Sequence, residues 1–326
     1  MRGFLYRLPA MTDWTDPAWV AEAHEWIRDR LGARGTVVVG SIAQEHVRPW
    51  ATVMRVPTGE GDVFFKANAT ELRYETALVR RLAARRPDCV PPLLAVDEER
   101  GWMLMRDAGA RLREIVERER DLTPWFEILP LYAGLQRDMS PDADALVALG
   151  VPDLRLAALV PAVERFLGEI QLPSDERERL SAAVPQIRDL CERLAAYGVA
   201  ETIQHDDLHD AQVFVDDGRY RILDWGDACV SHPFFSLSVT LLGVLAWGLD
   251  DVQDSVDVRP FRDAYLGPYA QDAALSDLRD ASELAMRLGW ICRAVNGSSG
   301  EPDLAPTLAR VRMFLDGPSP EPGRDA

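Results

Sequence analysis

Ile203-Gln204-His205-Asp206-Asp207-Leu208-His209-Asp210-Ala211-Gln212-Val213-Phe214-Val215 runs through Asp216-Asp217-Gly218 into Arg219-Tyr220-Arg221-Ile222-Leu223-Asp224-Trp225-Gly226-Asp227. Two β-rich runs joined by Asp-Asp-Gly predict a tight hairpin, because aspartate and glycine accept the backbone angles that such turns need. That hairpin puts Gln212, ahead of its first strand, near Asp224, after its second. Asp206, Asp207, Asp210, Asp224 and Asp227 crowd the same window and repel one another without a counter-cation. Converging carboxylate and amide oxygens suit a hard divalent ion, most naturally Mg²⁺ with a phosphate completing its shell. Asp207 is then left to take a proton or a hydrogen bond from an attacking hydroxyl.

Working outward, the chain changes character twice. Asp16-Pro17 opens a helical period that ends at Gly32. Residues 33–106 then read as a small sheet carrying one helix. Its strands are expected at Thr36–Val39, Ala51–Val56, Val63–Lys66, Val90–Val96 and Trp102–Met105, and its helix at about Thr70–Ala84. Asp107-Ala108-Gly109 breaks the pattern. Beyond it the periods are helical, at Leu112–Arg118, Pro124–Met139, Leu154–Ile170 and Asp175–Tyr197. They resume after the β interlude at Pro233–Leu249, Val258–Tyr269, Ser276–Val295 and Ala305–Leu315. These readings divide the chain into an N-terminal helical extension (1–32), a small sheet-bearing lobe (33–106), a larger mostly helical lobe (107–316) and a disordered tail (317–326).

Lys66 is the only lysine among 36 basic residues; every other one is arginine. A chain that uses arginine wherever positive charge suffices keeps a lysine where a compact ammonium is needed and a planar guanidinium does not fit. On the following helix Glu75 interrupts the apolar stripe Leu72, Val79, Leu82. A carboxylate on a buried face needs a cation, and Lys66, on the preceding strand, is the one at hand.

Composition narrows the classes. The 326 residues are 47% hydrophobic and 27% charged, which is the mix of a globular protein with a sizeable core and suits about two domains or lobes. A net charge of −17 repels phosphate backbones and anionic membranes, so neither nucleic acid nor a membrane is an expected partner. The four scattered cysteines form no CxxC pair and read as free thiols of a reducing compartment. Met1–Met11 lacks a signal-peptide core, and Leu237–Leu249 is too short and too polar to span a bilayer. A cytoplasmic protein, monomeric or homodimeric, is expected.

The motifs resemble those of the aminoglycoside phosphotransferases and related small-molecule kinases, whose fold is protein-kinase-like. The family's His-Gly-Asp-Leu-x-x-x-Asn loop is matched by His205 to Gln212, and its Asp-Trp metal motif by Asp224-Trp225. The resemblance implies an α+β bilobal protein with a small antiparallel-sheet N-lobe and a larger, mostly helical C-lobe, the first nucleotide-binding and the second catalytic and substrate-binding. It implies an enzyme that uses ATP (or GTP) and Mg²⁺ to phosphorylate a hydroxyl of an antibiotic-like, sugar or amino-alcohol substrate. Lys66 would hold the phosphates, oriented by Glu75, while Leu104, Met105 and Asp107 sit at the adenine-holding hinge. Asp207 would be the catalytic aspartate, Gln212 and Asp224 the metal ligands, and His205 a prop for the loop.

The sequence departs from the family pattern at three places in the site. Gln212 replaces the usual Asn, Asp206 replaces Gly, and Gly40–Glu45 contains no GxGxxG. Asp227, Asp250, Asp251, Asp254 and Asp257 would suit a cationic substrate, and Trp247 and Trp290 would stack on a sugar or macrocycle. Two rival readings follow from the same residues. One is a catalytically inactive nucleotide-binding pseudokinase. The other is a metal-dependent hydrolase built on His205, Asp206, His209 and Asp210.

Overall fold

The computed structural model describes residues 12–298 and 304–317. The terminal readings, Met1–Met11 and the tail beyond Gly317, lie outside the described residues. The chain divides into two compact units, one reaching Ala108 and the other starting at Gly109.

The first unit contains α1 (Pro17–Gly32), β1 (Ala43–Val47), β2 (Ala51–Thr58), β3 (Gly61–Asn68), α2 (Tyr74–Arg85), β4 (Leu93–Asp97) and β5 (Trp102–Arg106). Its strands form one antiparallel sheet in the order β1-β2-β3-β5-β4. Asp16 caps α1 by accepting the Ala18 amide at 2.7 Å, and Pro17 opens the helix, where its missing N–H costs nothing. Trp26, Ile27 and Leu31 of α1 are buried in the same core as Met54, Phe65 and Trp102 of the sheet. Trp102 meets Trp26 and Phe65 edge-on at 5.7 and 5.5 Å, an arrangement the ring quadrupoles favour. The helix expected as an extension ahead of the sheet therefore shares its core.

Two sheet expectations needed correction. Thr36–Val39 is not a strand; only Val38 makes a single bridge, to Thr58, while Val37 and Val39 stay exposed with no face to bury them. The first strand is Ala43–Val47, inside the segment read as a connector. Gln44 ties it down by donating to Trp14 O at 3.0 Å and Thr52 Oγ1 at 2.9 Å.

The second unit is mostly helical: α3 (Leu112–Glu119), α4 (Trp125–Met139), α5 (Ala143–Ala148), α6 (Leu156–Glu169), α7 (Ser174–Ala195), α8 (Arg259–Leu266), α9 (Leu275–Gly297) and α10 (Ala305–Asp316). Short strands interrupt it: β6 (Ala110–Arg111), β7 (Thr202–Gln204), β8 (Val213–Asp216), β9 (Arg219–Ile222) and β10 (Cys229–Ser231). The β8–β9 hairpin turns through Asp217 (φ 50°) and Gly218 (φ 71°), the two positive-φ positions that a two-residue turn requires.

The segment read as a helix over Pro233–Leu249 is instead a short turn at Pro233–Phe235, a π-helix over Ser238–Val244 and a tight turn at Leu245–Trp247. Side-chain hydroxyls there bond other elements: Ser238 donates to Met286 O at 2.8 Å and Thr240 to Leu208 O at 2.7 Å. Gly289 on α9 lets this segment approach; a Cβ there would lie 2.0 Å from Ser238 Oγ and 2.7 Å from Phe235 O. All four cysteines are buried and none forms a disulfide, and no helix among the described residues is long and apolar enough to cross a membrane.

Candidate active site

In the first unit, Lys66 lies on the central strand β3, opposite Val53 of β2 and Met103 of β5. Glu75 stands in the first turn of α2 and is 1% exposed. Lys66 Nζ donates to Glu75 Oε1 at 2.7 Å, so the pair read from the apolar stripe forms. Each charge is desolvated by the sheet and helix around it and compensated by the other; removing either member leaves an uncompensated buried charge, a loss of about 3–5 kcal/mol. Leu104 and Met105 sit on β5 and are buried, with Leu104 wholly in the sheet's core, whereas Asp107 is exposed. Leu104 stands opposite Phe65 of β3 on one side and Ala95 of β4 on the other, so its backbone is flanked by the sheet as well.

In the second unit, the loop after β7 is fixed by hydrogen bonds on every side. His205 is fully buried; its backbone amide donates to Tyr132 Oη at 2.9 Å. Its Nδ1 accepts the Asp207 amide at 3.3 Å, which leaves the proton on Nε2, donated to Leu223 O at 2.7 Å. Burial lowers the pKa of this imidazole, keeping it neutral. Both ring nitrogens are therefore spent on holding the loop to the strand that leads to Asp224.

Asp206, where the family pattern has Gly, adopts a left-handed backbone at φ 64°, a conformation that aspartate tolerates better than most residues. Its carboxyl is buried and accepts from Gln204 Nε2 at 2.6 Å and Asn296 Nδ2 at 2.8 Å. Burial pushes its pKa up to about 7, against the pull of Arg293. The departure from glycine thus supplies both a strained backbone and a buried acid.

Asp207 receives Arg293 of α9. That guanidinium, only 6% exposed, donates one arm to the Asp207 carboxylate and another to the Asp206 carbonyl. Burial alone would raise the Asp207 carboxyl; the Arg293 charge, together with the hydrogen bond and charge of His209, outweighs it and holds the group well below the usual carboxylate range. His209 Nε2 lies 3.4 Å from the other Asp207 oxygen, while its Nδ1 accepts the Ala211 amide at 3.1 Å. Asp210 is held by Arg113 of α3 at 2.8 Å.

Gln212 and Asp224 are brought together as the hairpin predicts. Gln212 Nε2 lies 3.4 Å from both Asp207 Oδ2 and Asp224 Oδ2. A half-turn of the amide exchanges Nε2 for Oε1, so the same position offers a carbonyl oxygen beside two carboxylates. This donor set fits Mg²⁺, which takes one or two protein oxygens and leaves the rest to phosphates and water. Asp224 itself is left-handed at φ 61°, turned out of β9 where Trp225 plugs the core and donates to Ile222 O at 3.0 Å.

The hydrolase reading fails on this geometry. Neither nitrogen of His205 is available to a metal, and among the described residues no group of three or more His, Cys, Asp or Glu side chains is placed to hold one.

The substrate expectations divide. Trp290 and Trp247 line a cleft within the second unit, together with Asp207 and Arg293. Asp250 and Asp251 do not; Asp250 is taken by Arg120, an arginine at the cleft wall whose other arm holds Leu249 O at 2.7 Å. Asp227 also lies off the cleft, half-exposed, with Oδ2 4.0 Å from Arg293 and its carbonyl bonded by Asn296 at 2.6 Å. Arg293, Asn296 and the role of Arg113 are absent from the sequence reading. A signal for Arg293 exists: it is the lone charge in the run Leu288–Val295 on a helix, so burial with a partner follows from its neighbours.

The solved structures that resemble this chain share its architecture at low identity. An ethanolamine kinase of Plasmodium vivax superposes with a TM-score of 0.57 at 12% identity, covering 84% of this chain and 81% of its own. The macrolide 2'-phosphotransferase MphH of Brachybacterium faecium gives 0.53 at 18% identity, over 91% and 100%. APH(2")-IIia in complex with GDP and kanamycin gives 0.58 at 13% identity, over 90% and 98%. These likenesses establish the protein-kinase-like fold. No curated protein matches the sequence. The family profile described as the phosphotransferase enzyme family matches residues 52–281, a span that holds the Lys66–Glu75 pair, the Asp207 loop and Asp224 alike. With most of the chain, the Lys66–Glu75 pair and Asp207 inside that match, this protein belongs to the phosphotransferase enzyme family.

Proposed function

We propose that the protein is a small-molecule kinase that transfers the γ-phosphoryl group of MgATP or MgGTP to a substrate hydroxyl. The observation that carries this reading is Asp207, an ionised carboxylate held by Arg293 and lining a cleft of the second unit. In this reading Lys66, kept in place by Glu75, binds the nucleotide phosphates. Asp224 and Gln212 hold Mg²⁺, which when bound neutralises charge on the transferring phosphate. Asp207 accepts a hydrogen bond from the acceptor hydroxyl and aims its oxygen at the γ-phosphorus. The O–P bond forms as the bond to the nucleoside diphosphate breaks, and the hydroxyl proton leaves through Asp207 to solvent. A carboxylate this weakly basic acts chiefly by orienting the hydroxyl, which suffices for a loose transition state with little early proton transfer.

Calorimetric titration with ATP and GTP, with and without Mg²⁺, tests the nucleotide half of this reading. Mg²⁺-dependent binding that is lost in Lys66→Ala and in Asp224→Asn is expected. Binding that ignores Mg²⁺ and both substitutions would remove the basis for the assignment.

A further inference from the structure

The Asp206 side chain, one residue ahead of the Asp207 carboxylate, reaches other segments of the second unit. We propose that Asp206 is a positioning residue for phosphoryl transfer: with Asn296 of α9 it forms a hydrogen-bonded clasp that keeps Asp224 in register with Asp207. This inference rests on the kinase reading above and deepens it.

The clasp is built from groups with one way to point. Asn296 Nδ2 donates to Asp227 O at 2.6 Å and to Asp206 Oδ2 at 2.8 Å. A backbone carbonyl only accepts, so the Asn296 amide must present its nitrogen there, and both its protons are spent. The other Asp206 oxygen accepts Gln204 Nε2 at 2.6 Å, and the Gln204 carbonyl takes the Ser231 hydroxyl. Gln204 and Ser231 lie on the paired strands β7 and β10 and are buried. Asp227 ends the tight turn Trp225–Asp227 that follows Asp224. On the other side of Asp224, Leu223 O accepts His205 Nε2 at 2.7 Å. Asp224 is therefore flanked by two ties, one to His205 and one through Asn296 to Asp206. Both start from the loop that presents Asp207.

Stability does not account for an acid at this position. Glycine adopts a φ of 64° freely, whereas aspartate holds it at a cost. Burial, helped by Asp227, raises the Asp206 pKa to about 7, and Arg293, Asn296 and Arg310 offset this only in part. Ionisation of Asp206 thus lowers the stability of the fold. Nor is the carboxylate needed to attach α9 to the loop. Arg293, three residues before Asn296 on the same helix face, already bonds the Asp206 carbonyl and the Asp207 carboxylate. What the Asp206 carboxylate adds is the link to the turn after Asp224.

Asp206→Gly, Asn296→Ala and the double variant are compared with wild type, with Asp206→Asn as the conservative control. Hydrogen exchange over residues 223–228 is expected to quicken about tenfold in each single variant. The Mg²⁺ midpoint for nucleotide binding is expected to rise, while affinity at saturating Mg²⁺ stays within about twofold. Hydrolysis of MgATP or MgGTP, with water standing in for the acceptor hydroxyl, should slow about tenfold in kcat. The double variant should be no slower than the slower single one, since either substitution opens the clasp; independent residues would multiply to about 100-fold. Asp206→Asn should keep most of the rate, because its amide oxygen still accepts from Asn296 while the Gln204 amide turns over to meet its nitrogen. Unchanged exchange over 223–228, an unmoved Mg²⁺ midpoint or multiplying effects would overturn the clasp. Faster exchange with an unchanged kcat would overturn its positioning role. A wild type that neither binds nor cleaves ATP or GTP would sink the kinase reading instead, and exchange over 223–228 would still decide the clasp.

Discussion

Replacing Arg293 by methionine removes the charge that sets the state of Asp207 while keeping a long apolar stem in α9. In the structure this guanidinium meets both the Asp207 carboxylate and the Asp206 carbonyl, and it is only 6% exposed. Without it, Asp207 keeps Gln212 Nε2 and His209 Nε2, each at 3.4 Å; His209, whose pKa the Asp207 and Asp210 carboxylates raise to about 9 despite burial, then supplies only part of the lost compensation. Breaking such a buried pair costs about 3–5 kcal/mol of stability, and an opposite charge at contact lowers a carboxylate pKa by about 1–3 units. The sign follows directly. Asp207 is depressed in the folded protein, so its contribution to stability is present above the ordinary aspartate value of about 3.9 and fades as pH falls through the folded value. In Arg293→Met that contribution shrinks to what His209 still supplies, and the acid limb of kcat/KM against pH moves up by about 1–3 units. Urea unfolding and a pH–rate profile measure the two effects separately. Arg293→Lys should recover part of the pH shift, since one ammonium serves Asp207 but not the carbonyl as well. Lost stability with an unmoved acid limb in Arg293→Met would refute the argument, because Arg293 would then hold the fold without tuning Asp207.

Three further outcomes are expected. Lys66→Arg should lower kcat/KM by about 100-fold despite keeping the charge, because the Glu75 contact at 2.7 Å leaves a buried slot fitted to an ammonium; a wild-type rate speaks against that fit. Asp206→Asn, which tolerates the same left-handed backbone, should change the pH dependence of stability. Wild-type Asp206 has its folded pKa raised to about 7, so it loses stability as pH rises from about 4 to about 7, by on the order of 4 kcal/mol relative to the non-titrating variant. Parallel stability curves for the two proteins would contradict this. Gln212→Asn shortens the side chain beside Asp207 and Asp224 by one methylene, so the Mg²⁺ concentration giving half-maximal rate should shift; no shift means Gln212 takes no part in metal binding.

Local chemistry made part of this architecture readable. Asp217-Gly218 reports its own turn, and that turn alone fixes Gln212 beside Asp224. Glu75 within an apolar stripe demands a cation, and the solitary lysine was the available one. What escaped the sequence depends on distant partners. Arg293 and Asp207 are separated by 86 positions, and no periodicity relates them. The segment over Pro233–Leu249 carries an apolar pattern that suits a helix, but Ser238 and Thr240 bond other elements and Gly248 turns at φ 62°, so tertiary contacts override the period. Val37 and Val39 have β-propensity but no buried face, and a strand does not form there. Asp250 looked free because its partner, Arg120, lies 130 positions away.

The most direct test follows the phosphoryl group itself. Single-turnover transfer from the γ-position of the nucleotide to an acceptor hydroxyl, read as the mass gain of the acceptor, is compared in wild type and Asp207→Asn. The substitution is expected to slow transfer by about 100-fold or more while nucleotide affinity stays essentially unchanged. Undiminished transfer in Asp207→Asn, or nucleotide binding by the wild type with transfer to no hydroxyl at all, would contradict the account.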